Sequence, residues 1–142
     1  MVGKVSFEEF SRANDLHIKD VKNIMFRISD LLKSVGSLHD WTKKEYEEQF
    51  YKEFTESRRN NGDFSDDSKW YQNHIRQERH HINSYVHEDV DLFDVLEMIS
   101  DCVAAGLARS GSVRKVEIDK DVLYKAFENT CSLIEDMCEV VD

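Results

Sequence analysis

From Leu16 onward, Val21, Ile24, Met25, Ile28, Leu31, Leu32 and Val35 recur at the three- and four-residue spacing that lines one face of a helix. The pattern predicts a helix opening near Asn14-Asp15 and stopping at Gly36, a residue suited to a left-handed helix end. Ahead of it, Ser6-Phe7-Glu8-Glu9 has the form of a capping box and predicts a short first helix. His17 falls on the inward stripe, because Val21, Ile24 and Ile28 follow it at i+4, i+7 and i+11, so a core-facing histidine is expected.

The connection Ser37 to Lys43 leads to a second capping box, Thr42 with Glu45, and an amphipathic helix with Tyr46, Phe50 and Phe54 inward. The polar stretch Arg58 to Asp63 separates it from a helix expected from about Asp66 to Ile82, which carries Trp70, Tyr71, His74, Ile75, His81 and Ile82. After the loop Asn83 to Asp89, Asp91 is placed to cap a helix with Leu92, Val95, Leu96, Ile99, Cys102, Val103 and Leu107 inward, ended by Ser110-Gly111-Ser112. Val113 to Ile118 reads as extended or irregular. Asp119 or Asp121 then opens a last helix burying Val122, Phe127, Thr130, Cys131, Ile134, Met137 and Val141. The expected fold is all-α, an irregular bundle of five to six helices in one domain spanning residues 1–142.

Composition supports this reading. The 142 residues include no proline, so nothing breaks a helical ladder from within, and 40% apolar with 34% charged residues is a globular balance. A formal net charge of −10 argues against nucleic-acid backbones as partners, although a bound divalent cation would reverse the local field for a phosphate substrate. Cys102, Cys131 and Cys138 are odd in number and fall on apolar helical positions, which predicts reduced core residues in a reducing compartment. Early charges predict no signal peptide, and no apolar run reaches the ~18 residues of a membrane span. A cytoplasmic protein is expected.

The candidate chemistry centres on His39-Asp40, which continues as Trp41-Thr42-Lys43 between two helical segments. A core-facing histidine, His17, lies upstream and Asp101 lies on a downstream helix. Imidazole and carboxylate together suit a divalent metal, and a metal makes water a nucleophile near neutral pH. His74 and His81 are seven apart and share a helical face. On a continuous helix His80 is rotated by about 100° from His81 and should point elsewhere. Asp94, Glu97 and Asp101 form an acidic stripe beside apolar residues, which calls for cations or solvent. Other readings stand beside these: Asp40 as a plain helix cap, the histidine cluster and acidic stripe as solvated faces, and Trp41 and Trp70 as packing residues.

The order His … His-Asp … Asp over successive helices resembles the HD-domain superfamily of metal-dependent phosphohydrolases. The resemblance implies that His17, His39, Asp40 and Asp101 match its metal ligands and that Lys43 matches a lysine near the substrate phosphate. Trp70, His74, His80-His81, Leu96 to Asp101 and Leu123 to Thr130 are similar to HD-like proteins of phages and bacteria, which for a phage-encoded chain implies the host cytoplasm. The extra histidines also resemble HD members with two or three metals, such as the HD-GYP phosphodiesterases, from which the six-residue spacing of His74 and His80 departs. The expected cofactor is a divalent metal (Mn, Fe, Co, Ni, Zn or Mg), held by His17, His39, Asp40 and Asp101 with His74 and His81. The expected substrate is a small phosphorylated compound, a nucleotide by analogy. Lys43 and Arg76 would neutralise its phosphate, and Glu97 would orient or deprotonate the water. The alternative is a non-catalytic HD-like binding protein, such as a phage-encoded modulator with a basic protein partner.

Overall fold

A computed structural model describes residues 5–113 and 115–139, and every regular element among them is helical. Five longer helices, α1 (Phe7–Leu38), α3 (Glu47–Arg59), α5 (Lys69–Gln77), α6 (Leu92–Ser110) and α7 (Lys120–Glu139), are joined by two short ones, α2 (Trp41–Glu45) and α4 (Phe64–Asp67). This is the expected all-α bundle. No helix of the described residues is long and apolar enough to cross a membrane. Val141, expected to be buried, and Arg114 lie outside the described residues.

The capping signals at Ser6, Asp91, Asp119 and Gly111 are present in the structure, each resting on neighbouring residues. Ser6 and Glu9 form the reciprocal capping box of α1. Asp91 accepts from the backbone amides of Phe93 and Asp94 while Asp94 returns the bond to Asp91. Asp119 accepts from the amides of Asp121 and Val122, and so opens the last helix. Gly111 ends α6 at φ 68°, where a side chain would be strained.

Helix lengths departed from expectation. There is no second start at Asn14-Asp15 and no stop at Gly36, since α1 runs unbroken to Leu38. A glycine costs a helix only about 1 kcal/mol, and without a proline the ladder continues through it. α1 is therefore about 48 Å long at 1.5 Å per residue, much longer than the α6 and α7 it meets. Among the described residues its N-terminal half is mostly exposed, and Leu16, Val21 and Met25 are exposed although they sit on the inward stripe. α5 stops at Gln77 rather than near Ile82, and residues 78–90 form turns and irregular backbone.

The core comprises Ile82, Val90, Val95, Met98 and Ala126, with Leu92, Cys102, Val116, Ile118 and Val122 packed against it. A second cluster, Phe50, Phe54, Phe64 and Trp70, ties α3 to α4 and α5, with Phe50 and Trp70 stacked at 4.0 Å between ring centroids. Cys131 and Cys138 are exposed and Cys102 is half-buried, correcting the expectation of core cysteines. Tyr46, Phe54, Leu96, Ile99, Leu107 and Phe127 are likewise more exposed than expected. These helices carry more apolar surface than one thin core can cover.

Candidate metal centre

The break between α1 and α2 creates the site. His39 leaves the helix at ψ 128°, and Asp40 then adopts the left-handed conformation, φ 56° and ψ 28°. Asp is among the few non-glycine residues that tolerate this turn, and single strained residues gather at functional sites. The turn puts both side chains against α5, α6 and the segment after α5. There, the amide of Glu78 bonds to the His74 carbonyl and that of His81 to the Glu78 carbonyl. This tight turn carries His80 back toward His39. From α6, Glu97 and Asp101 project one helical turn apart onto the same group.

Two sets of three ligand atoms result: His39, His80 and Asp101, and Asp40, His74 and His81, each with its atoms within 4.8 Å of one another. Asp40 links them. Its Oδ1 lies 3.5 Å from His74 Nε2 and 3.7 Å from His80 Nε2, while its Oδ2 lies 3.3 Å from His39 Nε2 and pairs with Lys43 Nζ. His39 Nε2 is 3.6 Å from Asp101 Oδ1, and His74 Nε2 is 2.9 Å from His81 Nε2.

Surrounding groups orient the rings. Thr42, itself buried, donates its hydroxyl proton to Glu78 Oε1 at 2.6 Å, so its oxygen accepts from His74 Nδ1, also at 2.6 Å. That assigns the proton of His74 to Nδ1 and leaves the Nε2 lone pair facing Asp40. Glu97 Oε1 plays the same part for His39 Nδ1 at 2.9 Å, and it lies 3.2 Å from His80 Nδ1. Such carboxylate–imidazole contacts behind the coordinating nitrogen are the usual support of a metal-binding histidine.

Asp40 Oδ1 and His80 Nε2 are buried without a hydrogen-bond partner among the described residues. Buried polar atoms rarely go unpaired, and an oxygen and a nitrogen lone pair facing one point are what a cation satisfies. Burial, reinforced by the neighbouring His81, pushes His74 down to about 3, and burial with His80 pushes His81 down to about 4. Both rings are thus neutral and able to ligate. Burial would lower His80 too, but Glu97, then Asp40 and Asp101, outweigh it and raise its pKa. Burial raises Asp40, yet the Lys43 ammonium, with smaller help from His39 and His74, holds it below the usual carboxylate range. These side chains could hold a metal ion.

His39, Asp40, His74, His81 and Asp101 therefore come together as the sequence suggested, and His17 does not. It is exposed on α1, 22 residues before His39, which along a helix is about 33 Å. It lies on the apolar stripe of α1 but does not face a core, because among the described residues that end of the stripe is exposed. Glu97 stands at the Nδ1 side of His39 and His80, the place of an orienting group rather than of a water base. His80, expected to point away, is buried in the cluster because α5 ends before it. Nothing in the local sequence marks that end. Thr42 serves His74 rather than capping a helix, and the cap position of α2 belongs to Asp40.

The cluster opens into a cleft of about 510 Å³ lined by Lys43, His74, His81 and Asp101, by Phe54, Phe64 and Tyr71, and by Arg109 and Lys115. Arg76 is exposed and does not line the cleft. Besides Lys43, the basic residues that line it, Arg109 and Lys115, flank the Ser110-Gly111-Ser112 turn, which the sequence marks without marking its position opposite the histidines. Trp70 is buried, as its reading as a packing residue required.

A model of a family of unknown function, DUF5662, matches residues 6–141. No curated protein and no solved structure matches the chain.

Proposed function

The chain belongs to DUF5662, a family of unknown function, and on that footing we propose from its own residues that it is a metal-dependent phosphohydrolase of the HD type. The observation that carries this reading is the convergence of His39, Asp40, His74, His80, His81 and Asp101, from four separate segments, around buried donor atoms that lack a protein partner. The mixed nitrogen and oxygen donors suit Mn, Fe, Co, Ni or Zn better than Mg, which prefers oxygen. The two triads would each hold one divalent ion, with Asp40 lying between them. A divalent cation held there would supply Lewis acidity and an acidified water for attack on a phosphoester.

The chain's own groups have separable parts. Glu97 orients His39 and His80, and the Glu78–Thr42 pair orients His74. Lys43 balances the charge of Asp40 and stands at the cleft, where its ammonium can meet a phosphate oxygen. Arg109 gives the cleft further positive charge within a chain of net charge −10, which favours an anionic substrate there, and Lys115 lines it while paired with Glu117. The aromatic wall of Phe54, Phe64 and Tyr71 supports a nucleotide as the substrate class, since a base has a face to lay against it.

The test is elemental analysis of protein purified without a histidine tag, followed by a screen of phosphorylated compounds with added Mn²⁺, Co²⁺ or Ni²⁺. Bound metal with turnover supports the proposal. Full metal content with no turnover on any phosphoester points to a metal-bearing binding protein, and no metal affinity refutes the site.

A further inference from the structure

α1 carries a second pattern that the metal centre does not use. Phe7, Phe10, Asn14, His17, Val21 and Ile24 follow one another at alternating steps of three and four, and the series continues through Ile28, Leu31, Val35 and Leu38. This is an unbroken heptad seam, the repeat by which one helix packs along another. Its second half is occupied: Ile28, Leu31 and Val35 are half-buried where α1 meets α6 and α7, and Ile24, at the border, is half-buried with part of its surface open. Its first half is bare, with Phe7 81%, Phe10 57% and Val21 46% exposed. Ile18 and Met25 widen the bare stripe. A contiguous apolar surface of this size on a charged helix marks an interaction site.

We propose that residues 7–24 of α1 pair antiparallel with the same segment of a second copy of this chain. Three features select that occupant. Antiparallel alignment about the midpoint between residues 15 and 16 places Phe7 against the second copy's Ile24, Phe10 against its Val21, and Asn14 against its His17. Every apolar seam residue then meets an apolar one, and the two polar ones meet each other as a hydrogen-bonding pair. A single polar seam pair of this kind fixes register in helix pairs. The bundle selects the direction: the seam of α1 is half-buried against α6 and α7 from Ile24 onward, so antiparallel copies set the two bundles at opposite ends of the pair, whereas parallel copies bring them level. Area is sufficient as well. Two phenylalanines bury roughly 150–250 Å² each when covered, so with the aliphatic residues each copy gives about 500 Å² and the pair about 1,000 Å², the size at which an interface becomes specific. The contact is self-complementary, as a two-fold dimer requires.

The test is sedimentation of the full chain at tens of micromolar, together with cysteine pairing. The wild-type chain is expected at twice the monomer mass, and Val21→Glu, which changes an exposed residue, is expected to raise the dimer dissociation constant at least tenfold with an unchanged circular dichroism spectrum. In a background with Cys102, Cys131 and Cys138 replaced by serine, an oxidised mixture of Phe10→Cys and Val21→Cys chains should form a disulfide dimer that neither variant forms alone. A monomeric wild type overturns the proposal, and so does an unaffected dimer in Val21→Glu. Disulfide formation by Phe10→Cys alone as efficient as in the mixture would show a parallel pairing and overturn it too. None of these readouts depends on metal or turnover.

Discussion

Thr42→Val tests the metal centre through a residue that touches no metal. Valine has nearly the shape of threonine, so the change removes one hydroxyl without opening a cavity. That hydroxyl makes two bonds of 2.6 Å in a buried position, to His74 Nδ1 and to Glu78 Oε1. Glu78 keeps its bond from the Thr42 backbone amide at 2.8 Å, so the larger loss falls on His74, whose Nδ1–H is left without an acceptor. An orphaned buried donor costs about 1–3 kcal/mol, which with a urea m-value of about 1–3 kcal/mol/M lowers the midpoint by roughly 1 M. His74 is then no longer held with Nε2 toward Asp40, and loss of such an orienting partner typically weakens a metal about 10–100-fold. The assay is urea unfolding of chelator-treated protein and a metal titration of each variant, with Thr42→Ser as the control that keeps the hydroxyl. Thr42→Ser should lie close to wild type in metal affinity. Equal affinities for Thr42→Val and wild type would refute the argument that Thr42 orients a liganding His74.

Asp40→Ala removes the carboxylate that stands in one triad and lies within 3.7 Å of two histidines of the other, and should abolish bound metal in elemental analysis, along with any turnover. Lys43→Ala should do the opposite to the metal, because Lys43 Nζ competes for Asp40 Oδ2; metal affinity stays equal or rises while KM for the phosphorylated substrate increases, and loss of metal would contradict this. In the metal-free protein, His74 at about 3 and His81 at about 4 lie below the ordinary 6.5, so the unfolded chain binds more protons than the folded one between those values. Stability should therefore fall as pH drops from about 6.5 through 4 toward 3, and NMR of the imidazole carbons should show both rings neutral at pH 5.5; charged rings at that pH would refute the assignment. Burial raises Glu53, but bonds from the Trp70 amide, Gln49 and Ser68 outweigh it and hold the carboxyl below 4.5. Its contribution is present above that value and lost as pH falls through the folded pKa, so Glu53→Gln should flatten the acid limb of the urea midpoint against pH.

The sequence by itself determined the helical class, the caps at Ser6, Asp91, Asp119 and Gly111, and most residues of the candidate site. Those depend on short-range physics: a capping box at Ser6 and Glu9, an Asp at a helix start, a glycine at φ 68°, a three- and four-residue apolar spacing. His39, Asp40, His74, His81 and Asp101 could be named because imidazole and carboxylate at inward positions carry their chemistry in any fold. What periodicity could not decide was what each helical face meets. The stripe on α1 is genuine along its length, yet His17 and the apolar residues around it are exposed because α6 and α7 are too short to reach them. α5 ends at Gln77 with no glycine or proline to mark it, and His80 reaches the cluster from the irregular backbone that follows. Thr42 became an orienting group, and Arg109 and Lys115 became cleft residues, only when distant segments closed on one another. A residue's spacing names its face, but its partner is chosen by the lengths and crossing of the helices, which the chain settles only as a whole.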